Sequence, residues 1–170
     1  MGEAMDSVCI LEAEGLQISF AMTVLQTKKG DLTAKKYVDL VVRVRLDSHL
    51  KELSMESVPT ITAIADLYKL TQYLEQHIVK LQENPDEESW TFMPIGGFQI
   101  QALAGNVLSE SDGEFTLRCM VNVGRSSNEG ATLYAGAEGV VTVKNTREFI
   151  ASVRAALAGL HSHFSINDKS

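Results

Sequence analysis

The four histidines are the residues of this chain that most readily do acid–base or metal chemistry. His161 and His163 flank a serine and could bind a metal weakly, but no third ligand of suitable spacing accompanies them. His49 and His77 are isolated, and neither stands in a recognisable pattern with a serine or cysteine nucleophile, although triad members need not be sequence neighbours. The sequence therefore predicts no catalytic residue and no metal site, and leaves catalysis unsupported rather than excluded.

Two polar loops could bind an anion. The first, residues 27–36, could contact phosphate or an acidic protein surface through Lys28, Lys29, Lys35 and Lys36. Only Tyr37 adds an aromatic residue there, so a solvated hairpin loop is the favoured interpretation. The second, residues 124–130, contains Arg125 among small polar residues. It lacks the lysine and spacing of a phosphate-binding loop and is interpreted as a hairpin connection. No cofactor is predicted.

Acidic residues cluster at two places. Residues 109–114 resemble a fragment of a calcium loop, but the acids that such a loop needs at alternate positions are missing or displaced, so we interpret the segment as a turn. Asp86, Glu87 and Glu88 form an acidic linker. With a net charge of −7, the chain is not expected to bind nucleic acid, whereas an acidic patch would suit a basic protein partner. Ordinary solvated loops are the alternative.

Length and composition indicate one globular domain, residues 1–170, with 45% hydrophobic and 22% charged residues. The longest apolar runs, such as 38–44, fall far short of the ~20 residues of a membrane span. No signal peptide is recognised at the acidic N-terminus, so a cytoplasmic location is expected. Cys9 and Cys119 lie in predicted strands and are expected to be buried free thiols of a reducing compartment.

Hydrophobic spacing predicts the elements that would position these residues. In the first half they are strands at 8–12, 16–26 and 38–46, a connection at 50–59, a short strand at 60–64 and an amphipathic helix. Glu14-Gly15 is the expected hairpin turn. Asp66 is the expected N-cap of the helix, which ends at Asn84-Pro85.

The second half is predicted to repeat this order. Its elements are a breaker at 94–97, strands at 98–108, 115–123 and 131–143, a helix, and a frayed tail at 161–170. Gly136 and Gly139 suggest a bulge or bend in the last strand. Asn145 or Thr146 is the expected helix cap.

The two halves, 7–84 and 90–160, match in the order of their elements, which predicts a tandem duplication of a β-β-β-α unit. The predicted fold class is α+β, with antiparallel sheet or sheets and two helices. The sequence leaves open whether the units pack as layers or merge into one sheet.

This layout resembles the immunity proteins paired with wall-associated polymorphic toxins of bacteria, and related families of unknown function. The similarity spans roughly residues 8–160. It lies in an early hairpin, a strand like 37–44, a helix like 66–74, a hairpin like 98–123 and a closing strand plus helix like 141–157. The resemblance implies a non-enzymatic protein that blocks a cognate toxin by binding it, and it assigns no functional residue.

Three hypotheses follow. The first is an immunity-like binding protein that occupies a protein partner, such as a basic toxin domain, with an acidic or loop surface. The second is a small-molecule-binding or enzymatic domain with a site between the repeats, near residues 94–97 and 125–130. The third is a structural module that forms a symmetric homodimer through a sheet edge or a helix face.

Overall fold

A computed structural model describes residues 6–25, 37–47, 52–94, 96–126 and 130–166. Its elements are β1 (Asp6–Ala13), β2 (Leu16–Val24), β3 (Tyr37–Asp47), β4 (Glu52–Glu56), β5 (Thr60–Ala63), α1 (Ile64–Glu83), β6 (Phe98–Val107), β7 (Gly113–Arg125), β8 (Thr132–Thr142) and α2 (Val143–Ile166). The strands form two antiparallel sheets, so the predicted α+β class with two helices is confirmed. The lysine-rich stretch 27–36 and His49 lie outside the described residues.

The β1–β2 hairpin forms as predicted. Its two-residue turn is Glu14-Gly15, closed by the pairing of Ala13 with Leu16, and Gly15 adopts a φ of 66°, which glycine tolerates without steric cost. Alternate residues of β2, from Leu16 to Met22, are buried, and this period of two fixes which face of the sheet meets the core.

The prediction of a plain connection at 50–59 is wrong over Glu52–Glu56, where β4 pairs with β3. The segment is mostly exposed, but its five residues alternate polar and apolar, with Leu53 and Met55 as the apolar ones, so the sequence contained a short strand signal. Ion pairs across the two strands join Arg43 to Glu56 and Arg45 to Glu52. The first sheet consequently has five strands, one more than the four predicted for the first half.

Strands β4 and β5 run along the same strand, β3, on either side of a break at Ser57. The Val42 backbone N–H donates to Ser57 Oγ at 2.9 Å, and the Ser57 N–H donates to the Val42 carbonyl at 2.8 Å. Ser57 thus satisfies the backbone of β3 where the pairing register changes. Together β4 and β5 flank β3 much as β8 flanks β7. The pairing of β2, β3 and β4/β5 therefore matches that of β6, β7 and β8, whereas β1 has no counterpart among the strands of the second sheet, and the duplication itself stays a prediction.

Replacing Ser57 by alanine is expected to lower the free energy of unfolding by about 2 kcal/mol, because the buried Val42 N–H loses its acceptor. Urea denaturation followed by circular dichroism measures this. Ser54→Ala, at an exposed position of β4, is the matched control and should change stability by less than about 0.5 kcal/mol. Equal midpoints for the two variants would contradict the role given to Ser57.

Both predicted helix caps are displaced. Helix α1 begins at Ile64 with Ala63 as its N-cap, so Asp66 lies in the first turn. There its carboxylate pairs with Lys69 at 3.0 Å and interacts favourably with the positive end of the helix dipole. Helix α2 begins at Val143, and its cap is Thr142, whose Oγ1 accepts from the Asn145 N–H at 3.1 Å. The helix continues to Ile166, well into the stretch predicted to be frayed.

The predicted bulge at Gly136 and Gly139 is also displaced. Register shifts occur between Ala102 and Gly105 and between Asn122 and Gly124. Gly136 instead allows close approach of β7, since a Cβ there would lie 1.9 Å from the Cys119 carbonyl oxygen. A Cβ on Gly139 would lie 2.9 Å from the Leu16 side chain, so both glycines serve packing between elements.

Each helix packs against the sheet of the opposite half: α1 lies on β6, and α2 lies on β1. Between the sheets, the Phe20 ring contacts Phe98 and Phe149, with centroids 5.0 and 5.3 Å apart. The helices are joined by a bidentate ion pair between Arg154 and Glu75. The two halves therefore share a continuous hydrophobic core, and their strands form two separate sheets rather than one merged sheet.

Candidate functional site

The connection between α1 and β6, residues 84–94, is named here the flanking segment because it lies along the outer edge of β6. Its backbone bonds to β6 in three places: Gly105 N–H to Pro85 O, Ser89 N–H to Ala102 O, and a reciprocal pair between Phe92 and Ile100. These bonds cover a sheet edge that would otherwise expose unpaired backbone groups. The segment is thus a fixed part of the fold.

His77 holds the flanking segment against α1 and β6 through hydrogen bonds. It lies on α1 with no exposed surface; its Nε2 is 2.9 Å from the Leu103 carbonyl oxygen, and its Nδ1 is 2.8 Å from Ser89 Oγ. A carbonyl only accepts, so Nε2 carries the proton and Nδ1 accepts from the Ser89 hydroxyl. One ring therefore ties α1, β6 and the flanking segment together.

Burial lowers the pKa of His77 below its usual value of 6.5, partly offset by the hydrogen bond to Leu103 and by the nearby Glu87 carboxylate. The imidazole is therefore neutral at pH 7. A serine hydroxyl donating to histidine also occurs in nucleophilic catalysis. Here, however, Ser89 is only 6% exposed, and a neutral carbonyl orients the ring. The arrangement supports a structural role, in which His77 holds the flanking segment in place.

Above this network, Trp90 forms an exposed aromatic surface. It is the chain's one tryptophan, and it is 64% exposed. Its ring lies 5.2 Å from Tyr73 and 5.7 Å from Phe92, both of which are buried. The Tyr73 hydroxyl accepts from the Ala102 N–H at 2.9 Å, which fixes that ring in turn. A large apolar side chain is thereby held rigidly at the surface.

The charge around Trp90 is mainly negative. Glu87 is paired with Lys80 at 2.9 Å, which lowers the pKa of its carboxyl. Asp86 and Glu88 are exposed, and among the described residues no cation lies within ion-pair distance of either one. Glu88 is two residues from Trp90, within about 7 Å along the chain. The flanking segment therefore combines an aromatic ring with unneutralised carboxylates.

The other residues singled out in the sequence take simpler roles. Residues 109–112 form the turn before β7, where the N–H groups of Leu108 and Ser109 donate to the Asp112 carbonyl, and residues 113–114 begin β7. Beyond Arg125 the Ser126 N–H donates to the Ala131 carbonyl, next to the antiparallel pairing of β7 with β8; residues 127–129 of the predicted connection lie outside the described residues. His161 and His163 fall in the last turns of α2. Throughout the described ranges, no three His, Cys, Asp or Glu side chains lie close enough to hold a metal ion.

Both cysteines are buried free thiols, as predicted. Burial raises the pKa of Cys119 to about 12. It also raises the pKa of Cys9, partly offset by a hydrogen bond with the Ser152 side chain. Thiols in this state are poor nucleophiles. They contribute packing to the core.

Buried apolar side chains of the two halves, such as Phe20 and Phe98, pack against each other. Two open hollows lie elsewhere on the surface of the described part of the chain. One lies on α1 around Val79, and the other lies between the β6–β7 turn and the start of α2. Neither includes described residues of the 94–97 or 125–130 loops. Of the helices described, none is long and apolar enough to cross a membrane.

Sequence reasoning identified the acidic linker but missed the pairing of His77 with Ser89. One signal was present: His77 falls on the apolar stripe of α1, three residues after Leu74 and four before Leu81, as a buried residue does. Its two partners lie on separate elements, so spacing alone could not identify them.

No protein-family profile matches the sequence, and no curated protein matches it. A solved structure of the plant transcriptional regulator PBF-2 is similar over 100% of this chain and 90% of that chain, at 9% identity and a TM-score of 0.43. A likeness this distant carries no functional argument. The function is therefore argued from the surface itself.

Proposed function

We propose that this protein is a non-enzymatic, immunity-like binding protein that occupies a basic protein partner with its flanking segment. The observation that supports it best is Trp90, held in place by Tyr73 and Phe92 yet largely exposed. Tryptophan is the residue most enriched at energetic hot spots of protein interfaces. A rigid ring loses little conformational entropy on binding, so its burial contributes efficiently to affinity.

Charge supports the basic character of the partner. Asp86 and Glu88 lack described cationic partners, and the whole chain has a net charge of −7. Complementary charge accelerates association and excludes acidic competitors. A lysine or arginine of the partner could also lie over the indole face and gain from a cation–π interaction. Inhibition by simple occupation needs no catalytic group, which fits the resemblance to immunity proteins and a cytoplasmic location.

We expect Trp90→Ala to weaken binding of the partner by about 30-fold, equivalent to about 2 kcal/mol at a hot spot. Proteins retained from the native host by the wild-type chain, but not by Trp90→Ala or Glu88→Lys, are the candidates. Each is then purified and titrated against the wild-type chain and the variants by isothermal titration calorimetry, which needs no tryptophan and so also measures Trp90→Ala. Raising the salt concentration should weaken binding, because the attraction is partly electrostatic.

The matched control is Leu108→Ala, which removes an exposed apolar side chain at the β6–β7 turn and should leave affinity unchanged. The immunity role has its own test: expression of the captured protein alone should arrest growth, and co-expression of the wild-type chain should restore it. The proposal would be refuted if Trp90→Ala retained the same proteins as the wild type. It would also be refuted if the captured protein, expressed alone, did not arrest growth.

A further inference from the structure

Strand β1 is an edge strand of the first sheet and pairs on one side with β2. In its hairpin, Ala13 and Leu16 close a two-residue turn, so Ala13, Leu11, Cys9 and Ser7 exchange backbone bonds with β2. The N–H and C=O groups of Val8, Ile10 and Glu12 consequently point away from the sheet. The Glu12 carbonyl confirms this direction, because it accepts from Asn145 Nδ2 on α2 at 3.0 Å.

The outer edge of β1 is closed at one end and open at the other. Besides the Glu12–Asn145 bond, the Glu14 N–H bonds to the Val140 carbonyl of β8 at 3.1 Å. Among the described residues, nothing pairs with the outward backbone groups of Val8 and Ile10. The open stretch is therefore Asp6–Ile10, and its middle residue is Val8.

The side chains of the same residues are exposed and apolar: Val8 is 57% exposed and Ile10 44%. Register places Val8 beside Ala21 of β2, and Ala21 beside Val41 of β3, which makes an apolar row across the outer face. Soluble proteins usually protect such edges with lysine, proline or a bulge. Strand β1 has none of these.

We infer that β1 pairs with β1 of a second copy of this chain, antiparallel about a twofold axis beside Val8. Pairing centred there sets Asp6–Ile10 against the same five-residue stretch of the partner copy, which is the whole open edge. Three outward-facing positions then form about six backbone hydrogen bonds. The row Val41–Ala21–Val8 continues into the partner copy, and each Asp6 stands opposite Ile10 rather than another acid.

This surface is small, so the dimer is expected to be weak and to depend on concentration. Sedimentation velocity from about 5 µM to about 500 µM should show a shift from monomer to dimer. Raising the salt concentration should strengthen the dimer, because it screens repulsion between two chains of net charge −7. That response is opposite to the one expected for a basic partner at the flanking segment, so the two surfaces are tested separately.

The decisive variant is Val8→Pro. It removes an outward N–H while leaving every bond to β2 in place, and proline is tolerated on edge strands. We expect it to abolish the dimer with little change in circular dichroism. Val8→Lys is a second variant that keeps the backbone intact and should have the same effect. Ile61→Lys, which changes an exposed apolar residue on β5 of the same sheet, is the control and should still dimerise.

A chain that stays monomeric up to the highest concentration would overturn the inference. A dimer that persists in both Val8 variants would do so as well, because it would form through another face. Open-ended aggregates of the wild-type chain would also contradict it, since twofold pairing of one edge closes at two copies.

Discussion

Gly136→Ala is expected to lower the free energy of unfolding by about 3 kcal/mol or more, the upper range for overpacking in a well-packed protein. The added Cβ would lie 1.9 Å from the Cys119 carbonyl oxygen and 2.7 Å from the Met120 Cα. Both are backbone atoms of β7, so no side-chain rotation can relieve the contact. Cys119 is fully buried, and β7 lies between β6 and β8, so the strand has little room to move.

The measurement is urea or thermal unfolding beside Gly130→Ala. Gly130 lies in the loop before β8, and a Cβ there would meet nothing within 4 Å, so that variant should stay within about 0.5 kcal/mol of the wild type. Gly105→Ala supplies a second positive case, because its Cβ would lie 2.3 Å from the Glu114 carbonyl oxygen. If Gly136→Ala unfolded at the same midpoint as Gly130→Ala, β7 and β8 could not be packed as described.

Gly136 also shows why the sequence predicted some of the fold and not the rest. A glycine inside an apolar strand signals either a bulge or a close approach, and only the positions of the neighbouring atoms distinguish them. Strand β3 was predicted well because its burial alternates with every residue from Val38 to Val44. Strand β4 was missed because its polar–apolar alternation spans only five residues, most of them exposed, and ion pairs such as Arg43 to Glu56 help to hold it against β3.

Hydrophobic spacing could not predict which sheet each helix packs against, for a related reason. The stripe Leu67, Leu70, Leu74 and Leu81 identifies the face of α1 that is buried, but any apolar sheet face could cover it. Contacts such as Tyr73 to Ala102 select the opposite half. This packing also explains why the flanking segment is an ordered surface: the chain must return from α1 along the β6 edge that α1 already covers.

The stability of the protein is expected to fall as the pH drops below about 6.5, because His77 is buried in its neutral form. In the unfolded chain the pKa of histidine is about 6.5, and in the folded protein burial lowers the pKa of His77. Above pH 6.5 both states are neutral and this residue adds no pH dependence. Below it the unfolded chain binds a proton that the folded one does not, and the stability falls by up to about 1.4 kcal/mol per pH unit until the folded pKa is reached.

The groups that face His77 set its pKa in the folded protein, and therefore how much stability is lost on acidification. Glu87 on the flanking segment favours the imidazolium, and Lys80 on α1 opposes it. From β7 the Phe115 ring packs at 5.0 Å and offers no charge, and from β6 the Leu103 carbonyl accepts in either protonation state. The Ser89 hydroxyl, by contrast, loses its acceptor when Nδ1 is protonated. Its bond to the flanking segment is therefore the first to weaken.

The measurement is chemical denaturation of the wild type and of His77→Gln at several pH values between about 4.5 and 8, the range that brackets histidine titration. Glutamine can still donate to the Leu103 carbonyl but cannot titrate, so this variant should be less stable at pH 8 and lose less stability on acidification. The difference between the two profiles removes the contribution of the other histidines. Trp90 fluorescence of the folded wild type should change only at lower pH, where the folded His77 binds its proton, since Ser89 is the neighbour of Trp90 in the flanking segment. Parallel profiles for the two proteins would show that His77 titrates equally in the folded and unfolded states, contrary to its burial.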